Sequence, residues 1–303
     1  MSRTNLIRLT LFRLLALIIM LAVIAGSFYV HGMDTQQDAA IQEPEPSPEQ
    51  TAEPTSEPVY PLIDPDAVPP ASASDLEPMD ESDDAPGFIS ADGTALSYAW
   101  GESVPASTPT DNSWFEDTAF IGNSLCDGLM LFGDVDGAHF YSAQSITVQN
   151  IYTNECINAG GGEYITIIDA LEREQYGKIY IMLGINEIFR GGEWFSEHYS
   201  ALIDHLRQTE PGAELYIQAI LPVTEEKSAS GYYNRENVLS FNEQLIDLCR
   251  EKEVFYLDLF NLFADEEGYL PLEFSSDGVH LNRTYYLVWS DYLRDHTITE
   301  VTQ

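Results

Sequence analysis

The chain contains a continuous apolar segment, Lys178-Ile179-Tyr180-Ile181-Met182-Leu183, which is followed by a glycine and then by polar residues. Segments of this kind are typical of strands that are buried on both faces of a parallel sheet. Other short apolar runs lie before and after it, and the stretches between them have the apolar spacing of amphipathic helices. Because strands alternate with helices, the predicted fold is an α/β sandwich whose parallel sheet has helices on both faces.

Glycine, proline and charged residues limit the predicted elements. We predict strands at residues 118–122, 178–183, 214–221 and 254–259, and helices after residue 124 and at residues 164–171, 195–206, 237–252 and 283–294. In a fold of this class, ligands bind outside the carboxyl ends of the strands. We therefore expect the functional side chains in the loops that follow those ends.

The 303 residues include 50 acidic and 13 basic side chains, which give a formal net charge of −37. Such a charge repels phosphate backbones and excludes nucleic acid as a partner. Hydrophobic residues make up 44% of the chain, too much for a wholly disordered protein, so part of the chain must form a core. The charge is unevenly distributed and divides the chain into three segments.

The first segment, residues 1–33, has three arginines, no acidic residue and an uncharged apolar run at residues 14–30. As a helix this run is about 25 Å long, at the lower limit for crossing a bilayer. Its basic flank predicts an N-terminus inside the cell and a remainder outside. We favour a retained signal anchor that acts as a transmembrane helix. Small residues at 23–25 leave cleavage of the leader, and hence secretion, as the alternative.

The second segment, residues 34–112, has 18 acidic residues, no lysine or arginine, and 13 of the 16 prolines. It buries too little apolar surface to offset the entropy of ordering, so we predict an extended disordered linker. Its less polar part, residues 87–100, is a candidate arm for docking on the folded part. The third segment, residues 113–303, has 10 basic and 32 acidic residues, a charge of −22, and a length that suits one domain.

The chain has three cysteines, Cys126, Cys156 and Cys249. They are too few and too scattered for a disulfide scaffold or a zinc site. One oxidised pair and three reduced thiols both remain compatible with the sequence. Cys126 is interpreted as a small buried packing residue.

Two polar motifs directly follow predicted strands. In Gly122-Asn123-Ser124, a serine that opens a helix exposes its hydroxyl and its backbone N–H to a developing anion. The alternative is an ordinary helix N-cap. In Gly184-Ile185-Asn186, the asparagine amide can donate to an oxyanion or can form an Asx turn.

A third polar motif, Asp277-Gly278-Val279-His280, lies in the last loop. Here the carboxylate can hold the imidazole in the tautomer whose other ring nitrogen acts as a base. The alternative is a turn in which Asp277 or Asn282 caps the last helix. His198 and His205, on the helix after Asn186, are interpreted as surface or boundary residues.

Taken in order, these motifs resemble those of the SGNH, or GDSL-type, hydrolases. Phe120-Ile121-Gly122-Asn123-Ser124-Leu125 is similar to the first conserved block of that family, Ile181-Met182-Leu183-Gly184-Ile185-Asn186-Glu187 to its third, and Asp277-Gly278-Val279-His280-Leu281 to its fifth. The resemblance spans most of residues 116–295. It implies a three-layer α/β/α sandwich with a flavodoxin-like parallel sheet.

The resemblance also implies roles for these residues. Ser124 is the expected nucleophile, His280 the general base, and Asp277 the residue that orients the base. The backbone N–H of Ser124 and the side chain of Asn186 are the expected oxyanion donors. The implied reaction is ester hydrolysis through an acyl-enzyme, with no metal or organic cofactor.

The second block of the family aligns best with residues 140–148, and this places Ser145 where the family has an oxyanion-hole glycine. The backbone N–H of Ser145 can complete the hole, or the loss of glycine's freedom to adopt a positive φ leaves it incomplete. Asn123 and Glu187 also stand where the family usually has aspartates.

The sequence therefore predicts an extracytoplasmic, membrane-tethered serine esterase. Its expected substrates are acyl esters, with acetyl favoured, on carbohydrate or cell-envelope polymers, because a long tether suits an immobile polymer. The charge of −22 favours neutral or acetylated sugars over polyanions. Two alternatives remain: a non-catalytic polymer-binding domain on the same scaffold, suggested by Asn123 and Ser145, and an O-acyltransferase that uses the same residues.

Overall fold

The structure, a computed structural model, describes residues 87–301. The strands are β1 (Gly87–Ile89), β2 (Ala95–Leu96), β3 (Thr118–Gly122), β4 (His139–Ser142), β5 (Ile157–Gly160), β6 (Glu163–Ile165), β7 (Lys178–Met182), β8 (Glu214–Gln218), β9 (Phe255–Leu257) and β10 (Thr299–Val301). The α-helices are α1 (Ser124–Phe132), α2 (Ile167–Leu171), α3 (Gly192–Thr209), α4 (Glu225–Ala229), α5 (Arg235–Lys252), α6 (Leu259–Phe263) and α7 (Arg283–Asp295). Short 3-10 helices span Asn112–Phe115, Asn150–Tyr152, Ile185–Glu187 and Leu272–Phe274.

The central sheet has five parallel strands in the order β4-β3-β7-β8-β9. The sheet grows in one direction from β3 to β4 and in the other from β7 onward, which is the flavodoxin-like order with a switch point between β3 and β7. Right-handed crossovers then place the intervening helices on opposite faces. Accordingly, α1 packs against α7, and α3 packs against α5. The predicted three-layer α/β/α fold with a flavodoxin-like parallel sheet is confirmed.

One aromatic ring from each strand of this sheet stands at the same register position. Neighbouring ring centroids are 4.9, 4.9, 4.4 and 5.0 Å apart across the sheet. The five rings, which we call the aromatic ladder, belong to Phe140, Phe120, Tyr180, Tyr216 and Phe255. All except Phe140 are buried. Because each buried aromatic ring removes a large apolar area from water, the ladder contributes strongly to the cohesion of the core.

Residues 87–112, at the end of the predicted linker and including the candidate arm at residues 87–100, pack on the folded part. β1 pairs with β10, and Trp100 lies 5.1 Å from the end of the ladder at Phe255. The N–H of Val104 donates to the carbonyl of Tyr256 at 2.9 Å, so the arm covers the outer edge of β9. Residues 87–112 have only three of the 18 acidic residues, so the average composition of residues 34–112 does not represent them.

The predicted elements differ locally from the structure. The predicted helix at 164–171 divides into strand β6 and the short helix α2, because Thr166 caps α2 by accepting the N–H of Asp169. Strand β4 was not predicted, since it is a partly exposed edge strand without a continuous apolar run. The three cysteines are free thiols.

The predicted anchor at residues 14–30 and the first part of the predicted linker lie outside the described residues. Between residues 87 and 301, no helix is both long and apolar enough to cross a membrane.

Candidate active site

Ser124 stands at the carboxyl end of β3, beside the switch point of the sheet. The side chain of Asn123 caps α1 by accepting the N–H of Leu125 at 3.0 Å, so Ser124 is the first residue of the helix and its hydroxyl is not used as the cap. A Cβ at Gly122 would lie 2.5 Å from the Cβ of Cys126. Only glycine therefore allows the helix to turn back so closely against its strand.

The three residues predicted as nucleophile, base and orienting acid are brought into contact. Ser124 Oγ lies 2.8 Å from His280 Nε2, and His280 Nδ1 lies 2.7 Å from Asp277 Oδ2. The other carboxylate oxygen of Asp277 accepts the backbone N–H groups of Val279 and His280 at 2.9 and 2.8 Å. A carboxylate fixed in this way favours the tautomer with hydrogen on Nδ1, which leaves Nε2 free to accept the serine proton.

The same hydrogen bonds keep Asp277 ionised. Partial burial alone raises the pKa of the Asp277 carboxyl, but the backbone N–H and ring of His280, with the N–H of Val279, outweigh it and hold the pKa well below its usual range. The motif therefore supplies a permanent negative charge beside the imidazole at neutral pH.

Ser145 adopts a left-handed backbone conformation, with φ of 61°. Among the described residues, only Glu253 shares a positive φ without being glycine. Asn150 fixes the loop: its Nδ2 donates to the carbonyl of Ser145 at 3.0 Å, and its Oδ1 accepts the N–H of Thr147 at 2.8 Å. The serine thus takes the conformation that glycine would favour, at a cost of about 1 kcal/mol or more in strain.

The loop after β7 holds the Ser145 loop from the other side. Asn186 Nδ2 donates to the carbonyl of Ile146 at 2.8 Å, and Glu187 Oε1 accepts the N–H of Val148 at 2.8 Å. The hydrogen bond to Ile146 uses one of the two amide hydrogens of Asn186 and leaves the second for another acceptor. Within residues 87–301, the N–H groups of Ser124 and Ser145 donate to no protein acceptor.

Glu187 is a buried carboxyl that the sequence analysis noted only as a departure from the family pattern. Its side chain is 1% exposed, and Oε2 has no hydrogen-bond partner among the described residues. Burial raises its pKa to about 7, and the hydrogen bond from Val148 and the charge of Arg190 offset this only in part. An acidic residue between Ile185 and Ile188 was the available sequence signal of this burial.

The remaining candidates are separate from this constellation. Burial raises the pKa of the Cys126 thiol well above its usual range, so the thiol is not a competing nucleophile. His198 Nδ1 lies 2.8 Å from the carbonyl of Trp194, and His205 Nε2 lies 3.0 Å from Glu172. No group of three or more histidine, cysteine or acidic side chains in the described part of the chain is arranged to hold a metal ion.

The model of the GDSL-like lipase/acylhydrolase family matches residues 120–287, more than half of the chain. Solved structures similar to this chain include a protein of Streptococcus pneumonia provisionally described as a platelet activating factor, with 19% identity and a TM-score of 0.48, covering 61% of this chain and 90% of that chain. A GDSL-like lipase from Bacteroides thetaiotaomicron has 11% identity and a TM-score of 0.46, covering 60% and 88%. An acetyl xylan esterase has 15% identity and a TM-score of 0.44, covering 58% and 96%. No curated protein matches the sequence.

Proposed function

The chain belongs to the GDSL-like lipase/acylhydrolase family, a family of ester hydrolases, and we propose that it works as a serine esterase with Ser124 as its nucleophile. The observation that carries this proposal is the unbroken series of contacts from Ser124 Oγ to His280 and on to Asp277. A serine hydroxyl becomes a competent nucleophile only when a neighbouring base takes its proton, and the imidazole is placed to do so.

In the proposed reaction, Ser124 Oγ attacks the ester carbonyl while His280 Nε2 takes the hydroxyl proton. The imidazolium that forms is stabilised by the Asp277 carboxylate, and it then gives the proton to the leaving alcohol. The same imidazole then takes a proton from a water molecule that attacks the acyl-serine, and it returns that proton to Ser124 Oγ as the bond to the acyl group breaks and the acid is released. No metal or organic cofactor is needed for this sequence of steps.

The negative oxygen of each tetrahedral intermediate needs hydrogen-bond donors. We assign this role to the N–H groups of Ser124 and Ser145 and to the free amide hydrogen of Asn186. Ser124 N–H lies at the N-terminus of α1, where the helix dipole also favours negative charge. The contact of Asn186 with the carbonyl of Ile146 supports this assignment, because it holds the amide beside the residue that follows Ser145.

For the substrate, we propose acyl esters, with acetyl favoured, on a carbohydrate or cell-envelope polymer. The triad is open to solvent, since the His280 and Asp277 side chains are 43% and 52% exposed, and an open site suits a polymer that lies across the surface. We further propose that residues 14–30 anchor the enzyme in the membrane, with the catalytic domain outside the cytoplasm. The apolar run and its basic flank support this location.

The test uses the full-length chain purified in a mild detergent, with p-nitrophenyl acetate as substrate. We expect hydrolysis by the wild type and a loss of about 10³-fold or more in Ser124→Ala. Cys126→Ala is the matched control, two residues further on, and should keep its activity. Equal rates for the wild type and Ser124→Ala would overturn the esterase proposal in favour of a non-catalytic binding domain. Transfer of acetyl to an added alcohol in place of acetate release would instead indicate an O-acyltransferase.

A further inference from the structure

Three aromatic side chains from two loops form an exposed cluster. Phe189 and Tyr232 are 55% and 49% exposed, and their ring centroids are 5.4 Å apart. Tyr233 lies 4.8 Å from Tyr232 in an edge arrangement. We call Phe189, Tyr232 and Tyr233 the aromatic rim. Large aromatic rings grouped on a surface and open to water commonly mark a binding site.

The two loops of the aromatic rim adjoin two segments of the candidate active site. On one side, Phe189 is three residues after Asn186 and follows the 3-10 helix that contains Asn186. On the other side, Lys227 Nζ lies 5.1 Å from the ring centroid of Tyr233. The side chain of Lys227 also packs against Gly278, where an added Cβ would be 2.8 Å from Lys227 Cβ.

Because Gly278 directly follows Asp277, Lys227 links the aromatic rim to the loop that carries the acid of the triad. Cation–π contacts of Arg190 also hold Phe189 in place. The Arg190 guanidinium lies 5.6 Å from the Phe189 ring centroid and 4.6 Å from that of Trp194 on α3.

A polar cleft of about 330 Å³ is lined by Asp277 of the triad and by Lys227, which also contacts Tyr233 of the aromatic rim. Its lining is dominated by hydroxyl and charged side chains, among them Thr224, Glu226, Lys227, Ser230, Ser275 and Asp277. The cleft therefore offers many hydrogen-bond donors and acceptors. Lys227 makes no ion pair with a carboxylate of the described residues, so its ammonium group is available to a ligand oxygen.

The combination of flat apolar rings and a hydroxyl-lined cleft suits one class of ligand. A pyranose ring presents apolar C–H groups on its faces and hydroxyl groups at its edge, so it can stack on an aromatic ring while its edge makes hydrogen bonds. A long acyl chain would instead require an enclosed apolar channel next to Ser124, and the cleft at the triad is polar. A polyanion is disfavoured by Glu226 and by the charge of −22 on residues 113–303.

We propose that Phe189 and Tyr232 form a stacking platform for a neutral sugar ring next to the acylated one, with the polar cleft binding its hydroxyl groups. This inference rests on the proposed function for the location of the ester, but sugar binding itself does not require Ser124 chemistry. It assigns substrate specificity to two side chains outside the triad.

The experiment measures binding without turnover, in full-length Ser124→Ala protein titrated with cellotetraose, xylotetraose and chitotetraose. We expect at least one oligosaccharide to bind, and Phe189→Ala and Tyr232→Ala in that background to weaken binding about threefold to tenfold each. Phe189→Trp should restore affinity, because the indole provides an equivalent flat surface.

Tyr152→Ala is the matched control. Tyr152 is 37% exposed and makes an edge contact of 5.4 Å with His205, towards the opposite end of α3. Its removal should leave oligosaccharide affinity unchanged. Equal weakening by the control and the rim variants, or no binding of any of the three oligosaccharides, would overturn the platform. Hydrolysis of p-nitrophenyl acetate by the wild type is measured separately, so failure of the platform is distinguished from failure of the esterase proposal.

Discussion

The aromatic ladder and the aromatic rim use the same residue types in opposite environments. In the ladder, Tyr180 is fully buried and stacks between Phe120 and Tyr216 at 4.9 and 4.4 Å. In the rim, Phe189 and Tyr232 touch each other and leave about half of their surface in water. A buried ring stabilises the fold through its packing on all sides, whereas an exposed ring retains a free face for a ligand.

The difference follows from position in the α/β fold. Ladder residues lie within strands, where the helices of both layers cover the sheet. Rim residues lie in loops beyond the carboxyl ends of the strands, which no layer covers. Ring content alone therefore does not indicate function in this protein, whereas position relative to the strand ends does.

The largest expected effect on stability is in the middle of the ladder. Tyr180→Ala should lower the free energy of unfolding by about 3–5 kcal/mol, because it leaves a cavity between two stacked rings. Tyr180→Phe keeps the ring and loses only the hydroxyl that accepts from Trp114 Nε1, at a cost of about 1 kcal/mol. Urea unfolding followed by tryptophan fluorescence measures both. Tyr232→Ala, from the rim, should change stability by less than about 0.5 kcal/mol, and a loss as large as that of Tyr180→Ala would erase the contrast.

The second largest effect is expected in catalysis, at the carboxyl ends of the strands. Asn186→Ala should lower kcat for p-nitrophenyl acetate by about 10²–10³-fold, as for the loss of one oxyanion donor. KM should change less, because the donor acts on charge that develops in the transition state. Steady-state kinetics separate the two constants. An unchanged kcat would exclude Asn186 from the oxyanion site.

Glu187 combines features of the core and of the strand-end loops, since it is a buried ionisable side chain in the loop that follows β7. Its pKa is raised from 4.5 to about 7 in the folded protein. The folded protein therefore binds more protons than the unfolded chain between these pH values, and the contribution of Glu187 to stability falls as the pH rises through this range. A pKa shift of this size changes the free energy of unfolding by about 3 kcal/mol across this pH range.

Glu187→Gln removes this titration and retains an oxygen acceptor for Val148. The difference in the free energy of unfolding, variant minus wild type, should be about 3 kcal/mol larger at pH 8 than at pH 4.5. The cost of the unpaired amide is the same at both pH values and does not affect this comparison. Urea unfolding at the two pH values provides the measurement, and Glu193→Gln is the exposed control for loss of a charge. The same difference for both variants would show that burial of Glu187 has no effect.

The smallest effect concerns the strained loop. Ser145→Gly should stabilise the protein by about 1 kcal/mol or less, because glycine adopts a positive φ without strain but loses more freedom on folding. Thermal unfolding is sensitive enough to detect it. Activity should remain, since the backbone N–H is unchanged. A destabilised variant would indicate that the contacts of the serine side chain stabilise the protein by more than the positive φ costs.

Local sequence patterns predicted the strands that carry the site. β3 and β7 are continuous apolar runs that end at glycines, and each is followed by one of the predicted site residues, Ser124 and Asn186. The partly exposed strand β4 was not predicted, because it pairs only with β3 at the sheet edge and has no continuous apolar run. The arm was proposed only for residues 87–100, and its contacts with β9 and β10 were not predictable because they join segments far apart in the chain. The contact of Glu187 with Val148 was missed for the same reason, as it joins loops 39 residues apart in the chain.

The sequence by itself determined the alternation of strands and helices, the division of charge along the chain, and the residue types available for chemistry, because hydrophobic periodicity and composition are local properties. The tertiary structure alone decided that Ser124 Oγ and His280 Nε2, 156 residues apart in sequence, lie 2.8 Å from each other. It also decided that Ser145 takes a left-handed conformation, that Glu187 is buried, and that Phe189 contacts Tyr232 although the two lie in different loops. These outcomes depend on how the layers pack and on the reversal of strand order between β3 and β7, neither of which is contained in any short stretch of the chain.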